Sequence, residues 1–214
     1  VLVPAIYSYT DNALTDYTLV STRENLYGYI DSKGNTVIKA KYKKLSRFNT
    51  SGYAVANETS DPGKFGAIDN KGATVIPFIY EEIVWEDNIA VVKKNGKWGA
   101  LDNSGNTVVP IIYTDKISWN TQGVAYVSNG SNYGAIDRAG KTIISFKYCD
   151  LGQVNEDIIM CLNGKYGTMD MKENIIVKPE YEDFFYFKNG QACVKQNGNY
   201  GLINRSGTSI FYPL

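Results

Sequence analysis

The sequence predicts an all-β chain of tandem antiparallel meanders, and three recurring patterns predict it. The first is an aromatic residue, a glycine, one spacer, an aliphatic residue and then Asp or Asn. It occurs as Tyr27-Gly28-Tyr29-Ile30-Asp31, Phe65-Gly66-Ala67-Ile68-Asp69, Trp98-Gly99-Ala100-Leu101-Asp102, Tyr133-Gly134-Ala135-Ile136-Asp137, Tyr166-Gly167-Thr168-Met169-Asp170 and Tyr200-Gly201-Leu202-Ile203-Asn204. The glycines are 38, 33, 35, 33 and 34 residues apart, a period that marks a repeat architecture. The second pattern is Asn-Gly shortly before the motif, at Asn95-Gly96, Asn163-Gly164 and Asn197-Gly198. The third is a glycine three residues after the motif's Asp or Asn, at Gly34, Gly72, Gly105, Gly140 and Gly207.

Each pattern assigns an element. In the third copy, Ile89 to Lys94 is rich in β-branched residues and predicts a strand. Asn95-Gly96 suits the two positive φ angles of a type I′ turn, so Lys97 to Leu101 is the returning strand. Pro62-Gly63 takes this place in the second copy. Asp102 then caps a type I turn with its side chain, and Gly105 closes it in the left-handed region. The fifth copy has Glu173-Asn174 where the glycine belongs, and Asn174 is the residue suited to that conformation.

A third strand follows at Val37-Ile38, Val75-Ile76, Val108-Val109, Ile143-Ile144, Ile176-Val177 and Ile210-Phe211, with Pro77, Pro110 and Pro179 expected to end it. A tyrosine stands eleven residues after each Asp in five copies: Tyr42, Tyr80, Tyr113, Tyr148 and Tyr181. Beyond it, segments such as Ile83-Val84-Trp85, Ile117-Ser118-Trp119 and Phe184-Phe185-Tyr186 are candidates for a fourth, outer strand. The aromatics that precede the motif glycines are read as inter-sheet core.

Composition narrows the function classes. Twenty-two basic and twenty-two acidic residues cancel, which leaves no basic stripe for nucleic acid. No stretch approaches the roughly 20 apolar residues of a membrane span. The absence of histidine removes Ser-His-Asp and Cys-His catalysis and His-ligated zinc. Cys149, Cys161 and Cys193 are too few and too irregular for a disulfide framework or a metal knuckle. One bridge with one free thiol is open, but three small buried side chains is the favoured reading. No cofactor or metal is expected.

The phrase from Lys93 to Pro110, KKNGKWGALDNSGNTVVP, resembles the WG (KWG) repeat of bacterial proteins. The signature tryptophan appears only at Trp98, with Tyr or Phe in the other copies. The resemblance implies a bacterial tandem β-repeat protein and brings no catalytic residues with it.

One repeat domain over 1–214 is expected, with a closed six-bladed β-propeller favoured over an open β-hairpin solenoid. Strands such as Val108-Val109, apolar without a polar alternate, suit sheets packed on both faces. The segment from Leu2 to Tyr7 copies the back half of a repeat, and the chain stops within the same half at its other end. Such a chain closes a ring by completing one sheet from both termini. It opens at Val1 without an initiator methionine or a leader, which fits a processed protein or an excised domain. A secreted or cell-surface location is favoured over the cytoplasm.

Function is expected where the period breaks: the insertion from Glu58 to Gly63, and the stretch from Ser8 to Asp16. Candidate ligand-binding residues are Trp85, Trp119, Tyr9 and Asp61, with the two tryptophans read as more accessible than Trp98. These point to a non-catalytic binding or interaction module, a monomer, with a protein or cell-wall polysaccharide as partner. The alternatives are a purely structural spacer or a glycoside hydrolase-like enzyme using Glu81-Glu82, Glu156-Asp157 or Glu182-Asp183. Two of those pairs directly follow a repeat tyrosine and track the repeat, so an enzyme is not expected.

Overall fold

The computed structural model describes residues 7–10, 17–58 and 63–211. Within them the chain is all-β, and each sheet pairs strands in chain order as an antiparallel meander. It forms two compact units, 1–111 and 112–214.

In the first unit, β1 (Tyr7–Thr10), β2 (Tyr17–Thr22), β3 (Tyr27–Asp31), β4 (Thr36–Leu45), β5 (Tyr53–Glu58), β6 (Phe65–Asp69) and β7 (Thr74–Tyr80) make one sheet. The ten-residue β4 closes one meander on β3 and opens the next on β5. A second sheet holds β8 (Glu82–Glu86), β9 (Ile89–Lys94), β10 (Lys97–Leu101) and β11 (Thr107–Tyr113). In the second unit, β12 (Ala125–Ser128), β13 (Tyr133–Ile136) and β14 (Thr142–Tyr148) form a three-stranded sheet. Four strands follow in the next: β15 (Asp150–Val154), β16 (Asp157–Leu162), β17 (Lys165–Met169) and β18 (Ile175–Tyr181). The last holds β19 (Gln191–Gln196), β20 (Asn199–Asn204) and β21 (Ser209–Phe211).

Both turn families form as the sequence predicts. Asn95 and Gly96, Asn163 and Gly164, and Asn197 and Gly198 all take positive φ. Pro62 lies outside the described residues. In all six copies the motif Asp or Asn accepts the backbone N–H groups two and four residues on, at 2.8–3.0 Å. In the fifth copy Glu173 itself takes the left-handed conformation, at φ 63°, and Asn174 does not, contrary to the sequence expectation. Asn174 instead donates its amide to Asp170, as Asn35 and Asn106 do to Asp31 and Asp102.

The motif glycine answers to the third strand. Opposite it the pairing register shifts, so that Phe65 faces Tyr80 while Ala67 faces Ile76. That bulge presses the third strand's backbone onto the glycine. A Cβ on Gly99 would lie 2.7 Å from the Val109 carbonyl oxygen. The bulge also corrects the reading of the prolines. Pro77, Pro110 and Pro179 lie inside β7, β11 and β18, and the strands run on to the repeat tyrosines. On an edge strand, at a bulge, the missing proline N–H leaves no ladder bond unmade.

Burial explains the cohesion. The inner strands β9, β10, β16 and β17 are buried on both faces, while the third strands alternate buried and exposed. The repeat tyrosines Tyr42, Tyr80, Tyr113, Tyr148 and Tyr181 are all buried. The aromatics before the motif glycines are less so, a correction: only Trp98 is buried, four are half-buried and Tyr200 is 57 % exposed. They stand near strand starts, where lysines cover Phe65, Trp98 and Tyr200.

The outer strand forms at 82–86 and at 150–154, where β8 and β15 each pair with the following strand. It does not form at Ile117-Ser118-Trp119 or Phe184-Phe185-Tyr186, a further correction. Those segments turn alternate side chains (Ile117 and Trp119, Phe185 and Phe187) into the core without pairing as strands. The cysteines are also corrected. Cys149 and Cys161 form a disulfide, with Cα atoms 5.1 Å apart, and Cys193 is a free, exposed thiol. Cys149 N–H donates to the Cys161 carbonyl at 2.9 Å, so strand pairing brings the two within bridging range.

Candidate functional site

Of the four sequence-derived candidates, Tyr9 and Trp85 belong to the first unit and Trp119 to the second. Trp119 is 8 % exposed against 7 % for Trp98, so it is no more accessible than the motif tryptophan. The Arg138 guanidinium lies 5.6 Å from its ring centre. Trp85 is half-buried and stacks on Tyr53 at 5.5 Å, with its indole Nε1 buried and without a hydrogen-bond partner. Tyr9 stands on β1 with its Cα opposite Ser21, and Asp61 lies outside the described residues.

Two of the carboxylate pairs serve turns. Glu81 accepts the N–H of Gly96 at 3.2 Å, and Glu182 accepts that of Gly198 at 3.3 Å. Glu182 also faces Lys165 and Lys195. Asp157 pairs with Arg205 at 2.6 Å. Burial raises its carboxyl above the usual range, against the pull of Arg205.

The period breaks instead in the second unit, at one end of the four-stranded sheet. A groove of about 500 Å³ runs past the Asn155-Glu156 turn, the turn from Asp170 to Asn174, and Gln122. A hollow of about 340 Å³ lined by Asn120, Tyr126 and Gln153 shares Gln122, Gln153 and Asn155 with it. Ile158 and Met169 lie buried at its floor, and Met171 and the half-exposed Ile176 extend the apolar surface.

Gln153 organises the polar wall. Its Oε1 accepts from Asn120 Nδ2 at 2.9 Å and from Tyr126 Oη at 3.3 Å, and its Nε2 donates to the Asn155 carbonyl at 3.1 Å. Burial pushes the Tyr126 hydroxyl up to about 12, so it stays a neutral donor. Asn120 is fixed in turn, its Oδ1 accepting from Gln122 N and Val124 N at 3.0 Å.

The equivalent place in the first unit holds an indole. Trp85 faces Ala90 across β8 and β9 as Gln153 faces Ile158 across β15 and β16, and each pair flanks a turn whose first residue has positive φ. Asn49 repeats the Asn120 turn, accepting from Ser51 N and Tyr53 N. There the indole of Trp85 covers Tyr53, and Ser51 Oγ donates to Asn88 at 2.6 Å. Among the described residues, no group of three or more His, Cys, Asp or Glu side chains is placed to hold a metal ion, and no helix is long and apolar enough to cross a membrane.

A family model described as "WG containing repeat" matches residues 27–58, 65–98, 98–133, 133–166 and 166–200. A search of curated proteins finds no match. Among solved structures, BamB from Moraxella catarrhalis is 14 % identical, aligned over 94 % of this chain and 71 % of that one, at a TM-score of 0.36. A eukaryotic initiation factor is 10 % identical over 99 % of this chain and 67 % of that one, at 0.42. PorZ of the Porphyromonas gingivalis type-IX secretion system is 11 % identical over 97 % of this chain and a third (33 %) of that one, at 0.36. Likeness at these scores carries no inference about activity.

Proposed function

The chain belongs to the WG containing repeat family, and from that premise we propose that it is a non-catalytic binding module whose partner is a protein or a cell-wall polysaccharide. One observation carries this reading. The residues that recur with the period are engaged in structure, the motif acids in capping turns and the motif glycines in admitting the third strand. Recognition is then left to the loop ends that differ between copies, as is usual for repeat scaffolds.

Closure of the meanders into a six-bladed ring is part of the proposal, and inner strands buried on both faces support it. The Cys149–Cys161 bridge supports an oxidising compartment, hence a secreted or surface-exposed protein. A monomeric ring has a radius of gyration of about 17 Å in small-angle scattering, and a spacer made of an open array exceeds it.

The functional test is co-sedimentation of the purified chain with insoluble bacterial cell-wall polysaccharide, alongside capture of bacterial surface proteins on the immobilised chain. Saturable binding to either supports a binding module. Binding to neither, by a chain that melts cooperatively, contradicts it.

A further inference from the structure

We propose that the groove organised by Gln153 is a subsite for a neutral oligosaccharide, an inference that rests on the binding-module reading and names its ligand class and place. Its walls are amides. Gln122 and Asn155 are exposed there, and no hydrogen bond engages either side-chain amide, while the network through Asn120 and Tyr126 fixes Gln153 between them. An amide offers a donor and an acceptor side by side, the complement of adjacent sugar hydroxyls. Met171 and Ile176 supply an apolar surface for the C–H face of a pyranose ring.

Charge argues for a neutral ligand. The ionised groups of the larger groove are Glu156, Asp170 and Lys172, of mixed sign. The Asp170 carboxylate is occupied by three donors from its own turn, the N–H groups of Lys172 and Asn174 and the Asn174 amide. The three ionised groups leave a net charge of a single unit, too little to select strongly for an anion or a cation. The joined volumes of about 500 and 340 Å³ fall in the range of small-ligand sites. Gln153 stands on a strand, held by three hydrogen bonds, so this part of the wall is formed before the ligand arrives.

The position-matched Trp85 provides the contrast. In the first unit the same place is filled by an indole stacked on Tyr53, and Ser51 is bonded across to Asn88. At this one register position the first unit carries a large aromatic and the second an amide.

The test is calorimetric titration of the full chain with four probes: cellotetraose, maltotetraose, xylotetraose and chitotetraose. At least one is expected to bind, and Gln153→Ala, Gln122→Ala and Asn155→Gly are each expected to weaken it about tenfold. Gln122 and Asn155 anchor no part of the fold through their side chains, and glycine accepts the left-handed backbone of Asn155 (φ 57°), so their variants keep the wild-type melting temperature and remain informative if Gln153→Ala unfolds. Binding of none of the four, or affinity unchanged within about twofold in both the Gln122 and Asn155 variants, overturns the proposal. A chain that fails this test yet sediments with cell-wall polymer or captures a surface protein loses the groove and keeps the module. A chain that fails both loses both.

Discussion

Tyr148 donates its hydroxyl to Glu173 Oε2 at 2.8 Å, joining the third strand of one meander to a turn of the next. Glu173 also accepts from Ser145 N at 2.9 Å and from Ser145 Oγ, and pairs with Lys147 at 2.7 Å. It does so from a left-handed backbone where other copies place glycine. The cross-strand bonds offset the cost of that conformation.

Burial works to raise the Glu173 carboxyl, but the bonds from Lys147, Ser145 and Tyr148 outweigh it and hold the group at about 2. A depressed carboxyl stabilises the fold fully above the ordinary glutamate range and loses that contribution as pH falls through its folded value. Wild type is therefore expected to lose melting temperature faster than Glu173→Gln as pH drops from 5 toward about 2. Parallel Tm–pH curves for the two proteins contradict this.

Gly99→Ala is expected to destabilise by about 1–3 kcal/mol, because its Cβ has no room beside the Val109 carbonyl and the Ile111 backbone. Gly152→Ala is the control: nothing lies within 4 Å of its added Cβ and its φ is not in the left-handed region. Urea unfolding of the two variants should separate them. Equal effects would show that the motif glycine is not held by the third strand.

The double variant Cys149→Ser, Cys161→Ser is expected to lose up to about 3 kcal/mol, the closure entropy of a loop of this length. Thermal melts with and without dithiothreitol check it. Reductant should lower the wild-type Tm and leave the double variant unmoved.

Trp119→Ala is expected to cost about 3–5 kcal/mol, as truncation of a buried aromatic does, with any change in binding following from lost folding. Denaturation midpoints measured beside binding on the still-folded fraction test this. Selective loss of binding at full stability would return Trp119 to the role of a ligand platform.

The turns were legible in the sequence because their chemistry is local: Asn-Gly and Asp-x-x-Gly fix φ within four residues, and both formed as expected. Pro77, Pro110 and Pro179 misled because a bulge that tolerates proline depends on the partner strand's register, which composition does not encode. Ile117 and Trp119 alternate in burial as a strand does, so apolar spacing could not distinguish a paired outer strand from an unpaired segment plugging the core. Gln153 was missed for a different reason. It looks unremarkable beside Trp85 until the outer segments are aligned on the turns that follow them, and only then does an amide stand where the other copy has an indole. The cysteine pairing depends on β15 adding to β16, a contact that irregular spacing conceals.

Residues shared by the repeats hold the fold, and recognition is proposed to belong where the copies differ. The most direct measurement is the ¹⁵N–¹H spectrum of the chain titrated with whichever tetrasaccharide binds. Shifts are expected to concentrate in the side-chain amides of Gln122, Gln153 and Asn155, with the backbone amides of the Asp102 and Asp137 turns unmoved. Shifts spread evenly over those repeated turns, with the three side-chain amides silent, would contradict it.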